Sequence, residues 1–190
     1  MPKISDIQET PNPNAVKFIL REPVSWGTSH SFKNKEAGEG DPLAKSLFDV
    51  GDVVSVFYMD KMITVEKTDE AEWDEILPAL AVPIRAAEAV KVSNGNAKAA
   101  AVSVGGAIAA AASDDPKLGA INELLDERIR PYLAGDGGWL EVLELDNANT
   151  LKIRYEGACG SCPSSLTGTL MAIENMIREE IDPEISVVAV

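Results

Sequence analysis

Apolar residues recur along this chain in two rhythms, alternate positions for strands and every third or fourth position for helices. Ile4–Gln8 and Val16–Leu20 read as strands either side of Thr10-Pro-Asn-Pro-Asn14, a cluster that interrupts any regular element. Pro42–Val50 has helical spacing, with Asp41 placed as N-cap and Pro42 in the first turn, where its missing N–H is harmless. Val53–Met59 and Met62–Glu66 are rich in β-branched and aromatic residues and fold back around Asp60-Lys61. Trp73, Ile76, Leu77, Leu80, Ile84 and Ala87 then return to helical spacing. Pro78 and Pro83 each remove a backbone donor there, which predicts a kinked or split helix.

Further along, Leu118, Ile121, Leu125, Ile129 and Tyr132 line one face of a helix ending near Ala134-Gly135. Leu140–Leu145 and Leu151–Tyr155 read as strands joined by Asn147-Ala148-Asn149. In the second of these, Leu151, Ile153 and Tyr155 alternate with Lys152, Arg154 and Glu156, which predicts one solvated face. Leu166, Leu170, Ile173, Ile177 and Ile181 line another helix, and Ile185–Val190 is a last strand.

Between these stretches the composition changes. Residues 89–113 hold two basic residues and no acidic one, and are nearly all Ala, Gly, Ser, Asn and Val. The flanks carry 9 basic against 16 acidic residues and 6 against 15. Two acidic blocks joined by a bland tether follow, because the tether lacks large side chains to pack and Gly105-Gly106 interrupts any helix. The fold class expected is α+β, with two small α/β-sandwich-like domains joined by an Ala/Gly-rich linker. The first domain spans 1–88 as ββαββα, the linker 89–113 is flexible, and the second domain spans 114–190 as αββαβ with a small mixed sheet.

A net charge of -14 argues against nucleic acid, whose phosphates call for a basic patch. Two cysteines cannot staple a small secreted fold, and no signal-like or Arg-rich leader opens the sequence. The most hydrophobic stretch, the 15 uncharged residues Ala99–Ser113, falls short of the roughly 18–20 apolar residues a membrane span needs. A cytoplasmic protein without membrane contact is expected.

The chemistry converges on Gly157-Ala-Cys-Gly-Ser-Cys-Pro-Ser-Ser165. Cys159 and Cys162 are the only cysteines and sit between a strand and a helix, where unsatisfied N–H groups and the positive dipole end favour thiolates. Gly157 and Gly160 allow a tight turn, so that both sulfurs can face one point. A buried structural pair, a dithiol redox pair and a metal-binding pair all remain open. A zinc tetrahedron and a Cys-His nucleophile are poorly served, since the only histidine, His30, lies in the other block. Iron–sulfur sites want four thiolates, and two from each of two chains would supply them across a twofold axis. A site on a surface loop also predicts that serine at either position leaves the fold intact.

With Asp136-Gly137-Gly138 upstream, the motif resembles the C-terminal domain of NifU-like (Nfu-type) iron–sulfur cluster scaffold and carrier proteins. Ile121-Asn-Glu-Leu-Leu125 and Arg128-Ile-Arg-Pro131 fit the same family. The first block resembles the Nfu N-terminal domain through Thr10-Pro-Asn-Pro-Asn-Ala-Val-Lys-Phe18, Pro42-Leu-Ala-Lys-Ser-Leu-Phe48, Ser55-Val-Phe57 and Ile63-Thr-Val65. The resemblance implies a non-enzymatic assembly factor that receives an iron–sulfur cluster from upstream assembly machinery and delivers it to apo-proteins. The cluster is expected as 4Fe–4S, with 2Fe–2S as the other form, held by Cys159 and Cys162 in a homodimer. The alternative is a thiol–disulfide redox protein on the same two cysteines.

Other residues carry smaller expectations. Gly137-Gly138 reads as a turn needing positive φ or close approach. Trp139 departs from the family pattern, which has a smaller polar residue after the two glycines. Trp73 reads as core, Trp26 and Trp139 as surface contacts, and His30 as a solvated loop residue. Phe32, Phe48, Phe57 and Tyr58 include some aromatic surface beyond what the first core needs, which would suit an interaction module. Ser164 and Ser165 open the last helix. Val24–Gly40 matches no pattern.

Overall fold

The computed structural model describes residues 1–89, 116–161 and 163–190. The expected linker, apart from Ala89, lies outside the described residues. The described chain falls into two compact units, one on each side of 90–115.

The first unit runs β1 (Ile4–Glu9), β2 (Ala15–Leu20), β3 (Ser29–Phe32), α1 (Lys35–Gly38), α2 (Pro42–Phe48), β4 (Val53–Met59), β5 (Met62–Lys67) and α3 (Trp73–Ala86). Its five strands form an antiparallel sheet of order β1-β2-β5-β4-β3. The β1–β2 turn is held by Thr10, whose Oγ1 donates to the carbonyls of Asn12 and Ala15 at 2.9 and 3.0 Å. Asp41 caps α2 as the sequence predicts, its Oδ1 accepting from the Ala44 N–H at 2.8 Å. Leu47 and Phe48 from α2 and Ile76, Leu80 and Ile84 from α3 join Phe18, Leu20, Val56, Ile63 and Val65 in one core.

Four expectations need correction here. First, the stretch Val24–Gly40, which matches no pattern in the sequence, adds an edge strand and a helical turn to the expected ββαββα order. It is fastened to the β4–β5 turn, where Asp60 takes positive φ and its Oδ1 accepts from Gly27 N–H at 2.7 Å. Second, α3 is one element and is not split at Pro78 or Pro83. Ile76, Leu80 and Ile84 lie on one buried stripe, so packing on the sheet holds the helix through the two missing donors. Third, Phe32, Phe48, Phe57 and Tyr58 are all buried, which leaves no aromatic surplus among them; Trp26 is the exposed aromatic of this unit. Fourth, His30 is not a solvated loop residue.

His30 sits in β3 opposite Tyr58 of β4, and the two rings stack with centroids 4.5 Å apart. The Tyr58 hydroxyl donates to the other oxygen of the capping residue Asp41 at 2.5 Å. One carboxylate thus joins the start of α2 to the far edge of the sheet.

The second unit runs α4 (Pro116–Arg128), α5 (Arg130–Gly135), β6 (Gly138–Leu145), β7 (Thr150–Gly157), α6 (Ala158–Ser161), α7 (Pro163–Glu180) and β8 (Ser186–Ala189). β6 and β7 are antiparallel while β7 and β8 are parallel, giving the mixed sheet expected. The parallel pair needs a crossover, and α6 and α7 provide it. Asp146 shapes the β6–β7 turn, its Oδ1 accepting from Ala148 and Thr150 N–H at 2.9 Å each, with Asn149 at positive φ. The core comprises Ile121, Leu125, Leu133, Leu140, Leu151, Ile153, Tyr155, Ile173, Ile177 and Ile185 among others.

Two further expectations change. The helix read across 118–134 is two helices, broken at Ile129, because Pro131 has no N–H to continue the ladder. The break rephases the buried stripe: Leu133 is buried and Tyr132 points to solvent. The solvated face of β7 also fails at Glu156, which is buried although Lys152 and Arg154 are partly exposed.

Burial holds the His30 imidazole below its ordinary value, with the Asp41 charge opposing. The folded protein therefore favours neutral His30. This contribution is complete above the unfolded value of about 6.5 and is lost as pH falls through the folded one. Melting of the wild-type first unit, followed by circular dichroism, should fall on acidification below that value, and the histidine part of the slope should vanish in His30→Gln.

Candidate functional site

The site is built where α5 ends. Gly137 ends this turn at φ +78° and its carbonyl accepts from Ala158 N–H at 3.2 Å, which joins the end of α5 to the start of α6. Gly138 then opens β6, paired with Gly157, itself at φ +66°. A Cβ at Gly138 would stand 2.5 Å from Cys159 Sγ, 2.8 Å from Cys159 Cβ and 2.8 Å from the Glu156 carbonyl oxygen. The two glycines thus divide the roles expected of them: Gly137 provides positive φ and Gly138 provides close approach.

Cys159 occupies the space a side chain at 138 would take. It is 2% exposed and belongs to the core of its unit. This corrects the surface-loop expectation, because the single turn of α6 carries the thiol inward, where Cys packs as a small apolar group. Serine at 159 would consequently place a hydroxyl in an apolar core and does not leave the fold untouched. Cys162 lies outside the described residues, as do the side chains of 160–167, Ser164 and Ser165 among them. In sequence Cys162 stands directly before Pro163, the first residue of the 18-residue α7. Among the described residues, no group of three or more His, Cys, Asp or Glu is arranged to hold a metal.

Two residues of this unit were given no role at the site by the sequence. Arg130 donates from Nε to the Leu140 carbonyl at 3.0 Å, from Nη1 to Asp126 at 2.7 Å and from Nη2 to Asn122 at 2.9 Å. Its guanidinium also lies over Trp139, 5.4 Å from the ring centroid, so this tryptophan is half-buried against the arginine rather than a free surface contact. Tyr155 is the second. It is buried, and its hydroxyl finds no hydrogen-bond partner among the described residues. Burial, and then Cys159 beside it, pushes the phenol up to about 12. The signal in the sequence was a phenol at an inward strand position where an aliphatic residue would fill the space.

The profile described as scaffold protein Nfu/NifU N-terminal matches residues 4–88, and that of the NifU-like domain matches 121–188. NifU-like protein 4, mitochondrial, from Arabidopsis thaliana is 36% identical over 180 residues, covering 92% of this chain and 61% of its own. The NFU1 iron-sulfur cluster scaffold homolog, mitochondrial, from Drosophila ananassae is 34% identical over 181 residues, covering 94% of this chain and 60% of its own.

The chain belongs to the NifU/Nfu family.

This NifU/Nfu chain spans about three fifths of the length of the curated relatives it matches. The second match includes the whole segment from Gly137 to Ser165, so the geometry above lies inside the shared domain. The α+β, two-unit architecture agrees with the two profiles. No helix among the described residues is long and apolar enough to cross a membrane.

The packing at Gly138 makes a direct prediction. Gly138→Ala should destabilise the second unit by about 1–3 kcal/mol, because Cys159 or the β7 backbone must shift to admit the methyl group. Calorimetry should show the loss in that unit's transition alone.

Proposed function

We propose that this protein is an iron–sulfur cluster scaffold and carrier, not an enzyme, that holds a labile 4Fe–4S cluster through Cys159 and Cys162 of two subunits. It would receive the cluster from assembly machinery and pass it to apo-proteins. The observation that carries this reading is Cys159 seated against Gly138 in a unit that matches the NifU-like domain, in a chain with two cysteines in all. Four thiolates are the usual complement of a cluster, so two chains are needed and the cargo sits between them. Two sulfurs per subunit hold a cluster less firmly than four from one chain, which suits a cargo to be handed on. Loading asks α6, a single turn after Gly157, to present Cys159 to iron, and this is a local rearrangement.

The first unit is assigned to acceptor recognition, with residues 89–113 joining it to the cluster unit at 114–190. It contributes no thiol, and its only histidine is stacked on Tyr58. A reducing, cytoplasm-like compartment suits a protein whose two thiols must stay available as thiolates. The relatives' printed names are mitochondrial.

Anaerobic reconstitution tests the reading. Iron and sulfide should each approach about four per two chains, and removal of iron should return the mass to that of one chain. Cys159→Ala or Cys162→Ala should abolish stable loading. A full cluster on a strict monomer without added thiol would refute the shared site, and a colourless protein with a reversible disulfide would favour redox chemistry instead.

The division of labour makes a separate prediction. A fragment spanning Asp114–Val190 should still load a cluster but lose preference among acceptors, because tethering to a chosen acceptor raises effective concentration and can gain roughly 10²–10⁴ in avidity. Transfer kinetics against several apo-proteins, with dilution, measure this. Equal preference for fragment and whole chain would remove the first unit from acceptor selection.

A further inference from the structure

The first unit holds a cavity of about 500 Å³ bordered by the start of α2, the end of α3 and Tyr58 of β4. Val24, Leu43, Pro83 and Ala86 give it apolar walls. Its size falls within the roughly 300–1,000 Å³ of ligand sites, which combine such walls with a few convergent polar groups.

The polar groups here carry one sign of charge. Asp41 lines the cavity with both oxygens already anchored, Oδ1 accepting from Ala44 N–H and Oδ2 from the Tyr58 hydroxyl, so the carboxylate is held in one orientation. Burial, with the bond to Asp41 and its charge, pushes the Tyr58 phenol above its ordinary range, so the phenol stays neutral. Glu88 adds a second carboxylate. Among the described residues neither carboxylate forms an ion pair, and no lysine or arginine lines the cavity. The 14-residue α3 also ends here, and the carbonyls of its last turn present the negative end of the helix dipole. Three sources of negative potential therefore meet on apolar walls. The two bonds to Asp41 leave lone pairs on its oxygens for a further donor.

We propose that this cavity anchors acceptor proteins by seating an arginine or lysine side chain, its alkyl stem on Leu43 and Pro83 and its charged end at Asp41 and Glu88. The choice of a protein segment as occupant rests on the acceptor-recognition role proposed for the first unit. Long basic side chains suit the site, because they bury the stem along apolar surface while the head stays among polar groups. The surface around the cavity agrees, with 16 acidic against 9 basic residues over 1–88, a balance that favours and steers a basic partner.

The test uses the empty full-length chain, isotope-labelled, and three pools of blocked heptapeptides with random apolar flanks and a central arginine, lysine or glutamine. Resonances of Val24, Leu43 and Ala86 should move with the two basic pools. The glutamine pool should bind at least about tenfold more weakly, the scale of one charge-assisted bond. Asp41→Asn keeps a good helix cap and should weaken the basic pools by about the same factor. Glu88→Gln should weaken them in the same direction without touching the cap, and Ala86→Trp, at an exposed position on the wall, should block them. Equal binding of the basic and glutamine pools, shifts that map elsewhere, or unchanged affinity in Asp41→Asn and Glu88→Gln would overturn the inference. A chain that loads a cluster but fails these tests loses the inference alone. A chain that passes them yet takes up no iron and sulfide loses the carrier reading, and with it the acceptors assigned to this cavity.

Discussion

The second unit depends on one close approach, the backbone of Gly138 against the side chain of Cys159. With 2.5 Å between the sulfur and the place where a Cβ would stand, no other residue fits at 138 without displacing something. This contact sets where β6 can begin, how near β7 can run and which way the first turn after β7 must face. Gly137 and Gly157 supply positive φ on either side, so the chain turns into and out of the contact at points where side chains would be strained. The consequence for function is that the metal-ligand chemistry and the core are not separable here. A candidate ligand is also a packing residue.

The first unit has an analogous joint in Asp41. One oxygen caps α2 and the other receives the Tyr58 hydroxyl, against whose ring the protein's only histidine is stacked. The cap was legible because an aspartate before a proline and an apolar run is a local signal. The tyrosine and histidine were not, because cross-strand pairing with β3 depends on an edge strand in a stretch with no recognisable pattern. The sequence analysis placed His30 in solvent for want of a partner that only the sheet supplies.

The same division between local and non-local signals explains the rest. The β4–β5 hairpin, the Asp41 cap, the turn at Asn149 and the role of Gly137-Gly138 are written in neighbouring residues and were read correctly. The single buried stripe of α3 outweighed two prolines, since Ile76, Leu80 and Ile84 gain more on the sheet than two donors lose. One proline, Pro131, did break its helix, because it falls where the stripe can be rephased onto Leu133. At the site, the glycines and cysteines were plain in the sequence, whereas the inward turn of α6 was not. Helical propensity says nothing about which way four residues will face. Buried Glu156 escaped for the related reason that alternation marks a face but not how deeply it is covered.

Arg130 sits at the break between α4 and α5, one residue past Ile129, and reaches back to Asn122 and Asp126 and forward to the Leu140 carbonyl, with Trp139 against its plane. A helix discontinuity is ordinarily a place where a small domain frays. Here the break is cross-braced by one side chain, and the brace is planar, with its five donors fixed in direction. A lysine would keep the charge and lose the splint. The geometry of the guanidinium, more than its electrostatics, therefore holds β6 at Trp139 and Leu140, beside the Gly138 against which Cys159 packs, and does so from a residue with no chemistry of its own to perform.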